Sequence, residues 1–213
     1  MAMQVISVNR GKAQPVDNGK VIQMSGIYKE PVNGPVEITS FGLLEDTVVN
    51  TRHHGGPDQA VYIYGGADYD FWREALGQPL LPGTFGENLT ISELESAGYA
   101  AGDRLAIGQV LLEVTSPRIP CDTFAARMGD PGFIDRFRLA ERPGLYCRVI
   151  QPGTVEAGAK VIRQAYVGER VTMLELFRTY YEADLSTAVI ARQIAAPVAY
   201  RVRQDRVKKL KKS

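Results

Sequence analysis

Arg104-Leu105-Ala106-Ile107-Gly108-Gln109-Val110-Leu111-Leu112-Glu113-Val114-Thr115-Ser116-Pro117-Arg118-Ile119-Pro120-Cys121 decides both the fold class and the place of the chemistry. Two short apolar runs, 104–107 and 110–115, flank Gly108-Gln109, a pairing that reads as a β-hairpin with a two-residue turn. The second run then stops at a loop with two prolines. Proline fixes φ and disfavours helix at the residue before it, so the loop is expected to be extended and stiff. It delivers one thiol, Cys121, three residues after Arg118. A nearby cation favours thiolate, the form that binds a soft metal or attacks carbon.

Outward from this hairpin the same signature recurs. Val5-Ile6-Ser7-Val8, the segment 21–24 after the turn Asp17-Asn18-Gly19, Val36-Glu37-Ile38-Thr39, Ala60-Val61-Tyr62-Ile63-Tyr64, Asn88-Leu89-Thr90-Ile91, residues 146–150 and Lys160-Val161-Ile162 are further strand candidates. Many short strands at this spacing predict a barrel or sandwich. Two helices are expected to interrupt them, near 67–76 and 131–140.

After about Gln164 the pattern changes. Glycine nearly vanishes and apolar residues recur at helical spacing. Leu174, Phe177 and Tyr181 mark one face of a first helix, widened by Met173, Leu176 and Tyr180. Asp184 and Ser186 are N-cap candidates for a second helix, and Pro197 opens a third. The division expected is residues 1–165 as a β-rich domain and 166–213 as a small three-helix domain.

The 213 residues include 45% hydrophobic and 23% charged side chains, with formal net charge +1. Such a balance argues against general affinity for nucleic acid or anionic membranes. Residues 200–213 hold seven basic side chains against Asp205, leaving the rest near about −5. This tail reads most simply as a solvated helix face. The N-terminal residues lack a signal-peptide pattern, no run reaches the roughly 18 apolar residues of a membrane span, and there are two cysteines. A cytoplasmic protein without a disulfide framework is expected. Cys147 lies in an apolar run and reads as packing.

Three further segments carry chemistry-bearing residues. Thr51-Arg52-His53-His54-Gly55-Gly56 contains both histidines of the chain, adjacent and therefore diverging in extended backbone. Phe85-Gly86-Glu87-Asn88-Leu89 brings an acid and an amide to the start of a strand, suited to hydrogen-bonding a polar heterocycle. Lys29 precedes a Pro/Gly-rich turn, from which it can reach an anion.

In order and spacing, His54-Gly55-Gly56 followed by Ala60-Val61, Phe85-Gly86-Glu87-Asn88-Leu89, Gly102-Asp103, Gly108 and Pro117-Arg118-Ile119-Pro120-Cys121 resemble the MOSC domain, named for the C-terminal domain of molybdenum cofactor sulfurases. The helical ending, Gly144-Leu145-Tyr146-Cys147-Arg148-Val149 and Lys29-Glu30-Pro31-Val32 resemble its YiiM-type branch. That branch usually shows Gly and Asp where this chain has Glu45 and Asn50. The resemblance implies a mainly β protein with some α: a MOSC-type β-barrel with short helices, then a small C-terminal three-helix domain. It implies a molybdopterin-type molybdenum cofactor and reduction of N-hydroxylated compounds, including detoxification of hydroxylamino base analogues. Cys121 would be the catalytic metal ligand. Lys29, Arg52 and Arg118 would hold the cofactor phosphate, and His53, His54, Glu87 and Asn88 would complete the cofactor or substrate contacts. No nicotinamide or flavin fingerprint is present, so a separate flavoprotein electron donor is the expected partner. No membrane and no sequence-specific nucleic-acid partner are expected.

Other readings of the same residues stay open at this point. Cys121 could serve a non-catalytic sulfur-carrier or cofactor-binding module. It could be a hydrolase or transferase nucleophile with His54 as base. One cysteine with two adjacent histidines lacks normal zinc spacing.

Overall fold

The computed structural model describes residues 2–52 and 54–211. The elements in chain order are β1 (Val5–Gly11), β2 (Gln14–Asp17), β3 (Ile22–Ser25), β4 (Lys29–Pro31), β5 (Val36–Thr39), β6 (Gly42–Leu43), β7 (Val61–Gly65), α1 (Gly66–Leu76), β8 (Leu89–Ile91), β9 (Arg104–Ile107) and β10 (Val110–Ser116). They continue as α2 (Asp122–Met128), α3 (Phe133–Ala140), β11 (Leu145–Gln151), β12 (Gly153–Val155), β13 (Val161–Gln164), α4 (Met173–Tyr180), α5 (Thr187–Ala195) and α6 (Tyr200–Leu210).

Eight strands form one sheet in the order β13-β9-β10-β11-β7-β8-β1-β4. The hairpin read from Gly108-Gln109 is present, with Val110 paired to Ile107. All pairs are antiparallel except β7 with β8, which α1 joins as a crossover. The sheet does not close as a continuous ladder. It curls until Gln4 bridges Lys160 and the Val5 N–H reaches the Ala159 carbonyl at 2.9 Å. The expected barrel is therefore not closed: the sheet is strongly curled, and an isolated bridge with a few backbone bonds joins the segment before β1 to the segment before β13. A small sheet β12-β5-β6 and the separate hairpin β2–β3 flank it.

Alternation along β7 divides the interior in two. Val61 and Ile63 enter an aliphatic core with Leu89, Leu105, Leu112 and Val114. Tyr62 and Tyr64 face the other way, into an aromatic core with Trp72, Phe85, Phe124 and Phe137 beneath α1–α3. All five residues of β7 are buried, as a strand covered on both faces requires.

The C-terminal helices lie against the same aliphatic core through Val171, Met173, Leu176 and Val198. Thr172 caps α4 and Ser186 caps α5, accepting from the Glu175 N–H at 3.1 Å and the Val189 N–H at 3.3 Å. The core face of α4 is Met173, Leu176 and Phe177, while Tyr180 is 54% exposed, outside the face expected for it. The third helix starts at Tyr200 rather than Pro197, since the Ala199 N–H bonds to Thr115 of β10 at 3.0 Å. The basic tail is only partly solvated. Arg206 is buried between Gln193 (2.5 Å) and Thr179 (3.1 Å), and Arg201 reaches the Thr51 carbonyl at 3.0 Å. No helix among the described residues is long and apolar enough to cross a membrane.

Candidate functional site

The loop after β10 runs inward rather than over the surface. Pro117, Arg118 and Pro120 are buried, and Cys121, half-buried, ends the loop as the residue preceding α2. Its carbonyl accepts from the Phe124 and Ala125 N–H groups at 2.9 and 3.0 Å, which fixes the backbone that carries the thiol.

Arg118 is 5% exposed, and its guanidinium lies 4.3 Å from the Phe124 ring centre and 5.0 Å from that of Tyr62. Nη1 donates to the Phe85 carbonyl at 2.5 Å, whereas Nε has no partner among the described residues. No carboxylate lies within ion-pair distance of it among those residues. Burial works against its charge, but attraction to Tyr146, Tyr62 and Cys121 outweighs burial and holds its pKa above the ordinary value. A buried cation without a counter-ion is costly unless an anion arrives to meet it.

Arg118 lines an inner chamber of about 110 Å³ with Lys29, Asp46, Asn88, His54 and Cys121. The turn before β8 supplies one wall. At Gly86, with φ 73°, a Cβ would come within 3.3 Å of Arg118 Nη1. Gly83, with φ 88°, passes so close to β4 that a Cβ would sit 2.4 Å from the Lys29 carbonyl oxygen.

The expected site residues divide by what already engages them. Lys29 lines the chamber, but its ammonium is paired with Asp46, both side chains under one-tenth exposed. Burial pushes the Lys29 pKa below the usual lysine value, and Asp46 pulls it back up. Asn88 donates to Asp46 at 2.8 Å and accepts from the Tyr62 N–H at 3.0 Å. Glu87 is fully buried and outside the chamber wall, accepting from Tyr69 (2.6 Å), Gly83 N–H (2.7 Å) and Thr90 (2.8 Å). Burial pushes its carboxyl pKa up despite those donors. Glu87 thus braces the glycine turn. Arg52 is exposed and not in the wall, and His53 lies outside the described residues.

Asp46 has no counterpart among the residues singled out from sequence, yet it organises Lys29, Asn88 and the Gly11 N–H, the last at 2.8 Å. The signal for it was Glu45. This residue takes φ 63°, the left-handed region where glycine is unstrained, and it turns the chain so that Asp46 points inward. Its own carboxylate is exposed and meets Arg10 at 2.8 Å.

Cys121, His54 and Tyr146 also line a second, outer chamber of about 540 Å³. The thiol therefore stands where the two spaces meet. Among the described residues no three His, Cys, Asp or Glu side chains are grouped to hold a metal ion. Cys147 is fully buried in the aliphatic core, where burial pushes its thiol pKa up.

A family model described as the MOSC domain matches residues 50–162, more than half of the chain. The chain belongs to the MOSC domain family. It is 30% identical to Protein YiiM of Escherichia coli (strain K12) over 157 residues, covering 72% of this chain and 69% of that one. It is 35% identical to a protein named "Reductase" from Gibberella moniliformis over 138 residues, 63% of this chain but 24% of the relative. The crystal structure of YiiM from Geobacillus stearothermophilus superposes with a TM-score of 0.80 at 27% identity, covering 98% of this chain and 99% of that one. The matched MOSC region contains the His54 loop, the Gly86–Asn88 turn and the Cys121 loop; Lys29 and Asp46 precede it.

Proposed function

We propose that this MOSC protein is a molybdenum-cofactor-dependent reductase of N-hydroxylated compounds, with Cys121 as a metal ligand. The observation that carries the reading is Arg118: a buried cation with no carboxylate in ion-pair distance among the described residues, lining the same chamber as the half-buried Cys121. The residues present fit a molybdopterin-type group. A thiolate is a soft ligand, suited to molybdenum already bearing sulfur donors. A guanidinium with an unengaged N–H is suited to an anionic oxygen. The Lys29–Asp46 pair is nearly neutral overall and holds Asn88, so it acts as scaffold beside the anion rather than as a second free cation.

When bound, the group would supply the two electrons that break the N–O bond, drawn from a separate reduced flavoprotein. Two protons are consumed, and amine and water form. His54, in the wall of both chambers, is the side chain positioned to hold one of those protons. The stiff proline loop keeps the thiol fixed while the outer chamber admits substrate. That chamber favours a catalyst over a carrier, since a module that only stores cofactor or sulfur needs no second space.

Protein from cofactor-competent cells should reduce an N-hydroxylated adenine with a reduced viologen dye. Arg118→Met should lower bound molybdenum at least tenfold while leaving the fold intact by circular dichroism. Wild-type protein without molybdenum and without turnover would end the proposal.

A further inference from the structure

Between β6 and β7 the described residues of 44–60 form no strand or α-helix, only one 3-10 turn over Pro57–Gln59. This loop carries His54, and its Asn50, His54 and Gln59 line both chambers. Its backbone bends at Gly55 and Gly56, with φ 70° and 83°. The backbone bonds it makes to itself are local: the His54 N–H reaches the Asn50 carbonyl and the Gln59 N–H the Gly56 carbonyl, both at 3.0 Å. Such a segment keeps one shape only through ties from elsewhere, because ordering each residue costs entropy.

The first two residues of α6 supply three of those ties. Arg201 Nη1 donates to the Gln59 side-chain oxygen at 3.1 Å, and Nη2 to the Thr51 carbonyl at 3.0 Å. One planar guanidinium thus bridges the two ends of the segment 51–59 that holds His54. The Tyr200 N–H donates to the Asp58 carboxylate at 2.6 Å. Here the loop serves the helix: the residue preceding α6, Ala199, offers no side-chain cap, and Asp58 takes that place at the positive end of the helix dipole. Asp58 is itself set by Arg148 at 3.0 Å, and its carbonyl accepts from Thr115 Oγ1 of β10 at 2.6 Å. Loop and helix therefore fix one another. The packing of α6 is secured separately, through Arg206 to Gln193 and Thr179, whereas Arg201 is exposed. Burial pushes the pKa of the Tyr146 phenol, in the wall of both chambers, up; Arg118 and Arg201 draw it down, so the charge of Arg201 is felt at that wall.

We propose that Arg201 is a positioning residue: its bridge from Thr51 to Gln59 holds the loop in the shape that sets His54 and Gln59 in the wall shared by both chambers. The C-terminal helices then take part in assembling the site as well as covering the aliphatic core. The inference rests on the reductase reading only for the proton that His54 would hold; the bridge does not depend on it.

The test reads the loop directly. In a His53→Gln background the single imidazole is that of His54. Its ring C–H signals in NMR should be sharp with Arg201 present, and shifted and broadened in Arg201→Gln. Amide exchange at His54 and Gln59 should quicken about tenfold while β10 is unchanged. Arg201→Lys keeps the charge but loses the planar fork, and should behave as Arg201→Gln does. Lys208→Ala, which removes an exposed charge from the same helix, should match the parent. The thermal midpoint should hardly move in any of them, since both Arg201 bonds lie at the surface. Unchanged His54 signals and exchange in Arg201→Gln overturn the proposal. Parent-like signals in Arg201→Lys overturn it too, by making charge rather than the bridge responsible, as does exchange that quickens throughout the chain with a fall in midpoint. In the viologen assay Arg201→Gln should lower kcat about tenfold, with KM and molybdenum content unchanged; an unchanged kcat overturns the claim that the loop's shape serves the reaction. If wild-type protein shows no turnover while the loop signals change as expected, the reductase reading fails and the bridge stands.

Discussion

Asp46→Asn is the perturbation that most cleanly separates scaffold from ligand at this site. The substitution keeps shape but removes the counter-charge from Lys29, whose side chain is 6% exposed. Breaking a buried ion pair from one side costs about 3–5 kcal/mol, because the remaining charge stays desolvated. The amide oxygen can keep one of the two donors now at 2.8 Å, Gly11 N–H or Asn88 Nδ2, and losing the other adds about 1 kcal/mol. A loss of about 4–6 kcal/mol at pH 7 is expected, measured by urea denaturation. The sign of its pH dependence follows from Lys29. Its folded pKa is already below the usual value through burial, and Asp46 is what raises it. Without Asp46 the folded pKa falls further, while the unfolded chain still binds the proton up to about pH 10.4. Between those values the unfolded state holds more protons, so stability of the variant rises with pH. The deficit against wild type should therefore shrink from pH 7 towards pH 10. A deficit under about 1 kcal/mol, or one that widens with pH, would refute the reasoning.

Arg206→Ala should cost about 2–4 kcal/mol, since it unties α4, α5 and α6 at a buried guanidinium; equal thermal unfolding to Lys208→Ala would contradict this. Gly83→Ala should destabilise more than Gly77→Ala, because the first meets the Lys29 carbonyl at 2.4 Å and the second meets open space at a helix end. Denaturant midpoints that rank them the other way would remove the close approach. A thiol reagent should modify one cysteine per folded chain and two in denaturant, with Cys121 the first, because Cys147 is fully buried with its pKa pushed up. Two fast-reacting thiols would show that burial does not protect Cys147.

The long strands were legible because period-2 burial and turn chemistry speak locally. The turn at Gly108-Gln109 and β5 and β9 stand where the pattern puts them. The strands β4, β6 and β12 were not, since each is two or three residues with a Gly or Pro inside or beside it, whereas the equally short β8 announces itself by the apolar, β-branched Leu89-Thr90-Ile91. Helix α2 was hidden by its own start, where a proline loop hands over directly to the first turn. At the site, residue types were readable but allegiances were not. Lys29 and Arg118 look alike as cations, and only the fold reveals that Asp46 neutralises one and leaves the other facing the chamber. Tyr180 read as a core position because helical spacing gives a face without saying how wide the partner surface is.

The most direct test of the central claim is the sulfur coordination of molybdenum, by X-ray absorption, in wild-type protein and in Cys121→Ser. The account predicts bound metal in the wild type with one more sulfur neighbour than in any metal the variant retains, and loss of N-hydroxy reduction with that sulfur. Identical sulfur counts together with retained turnover in Cys121→Ser would contradict it.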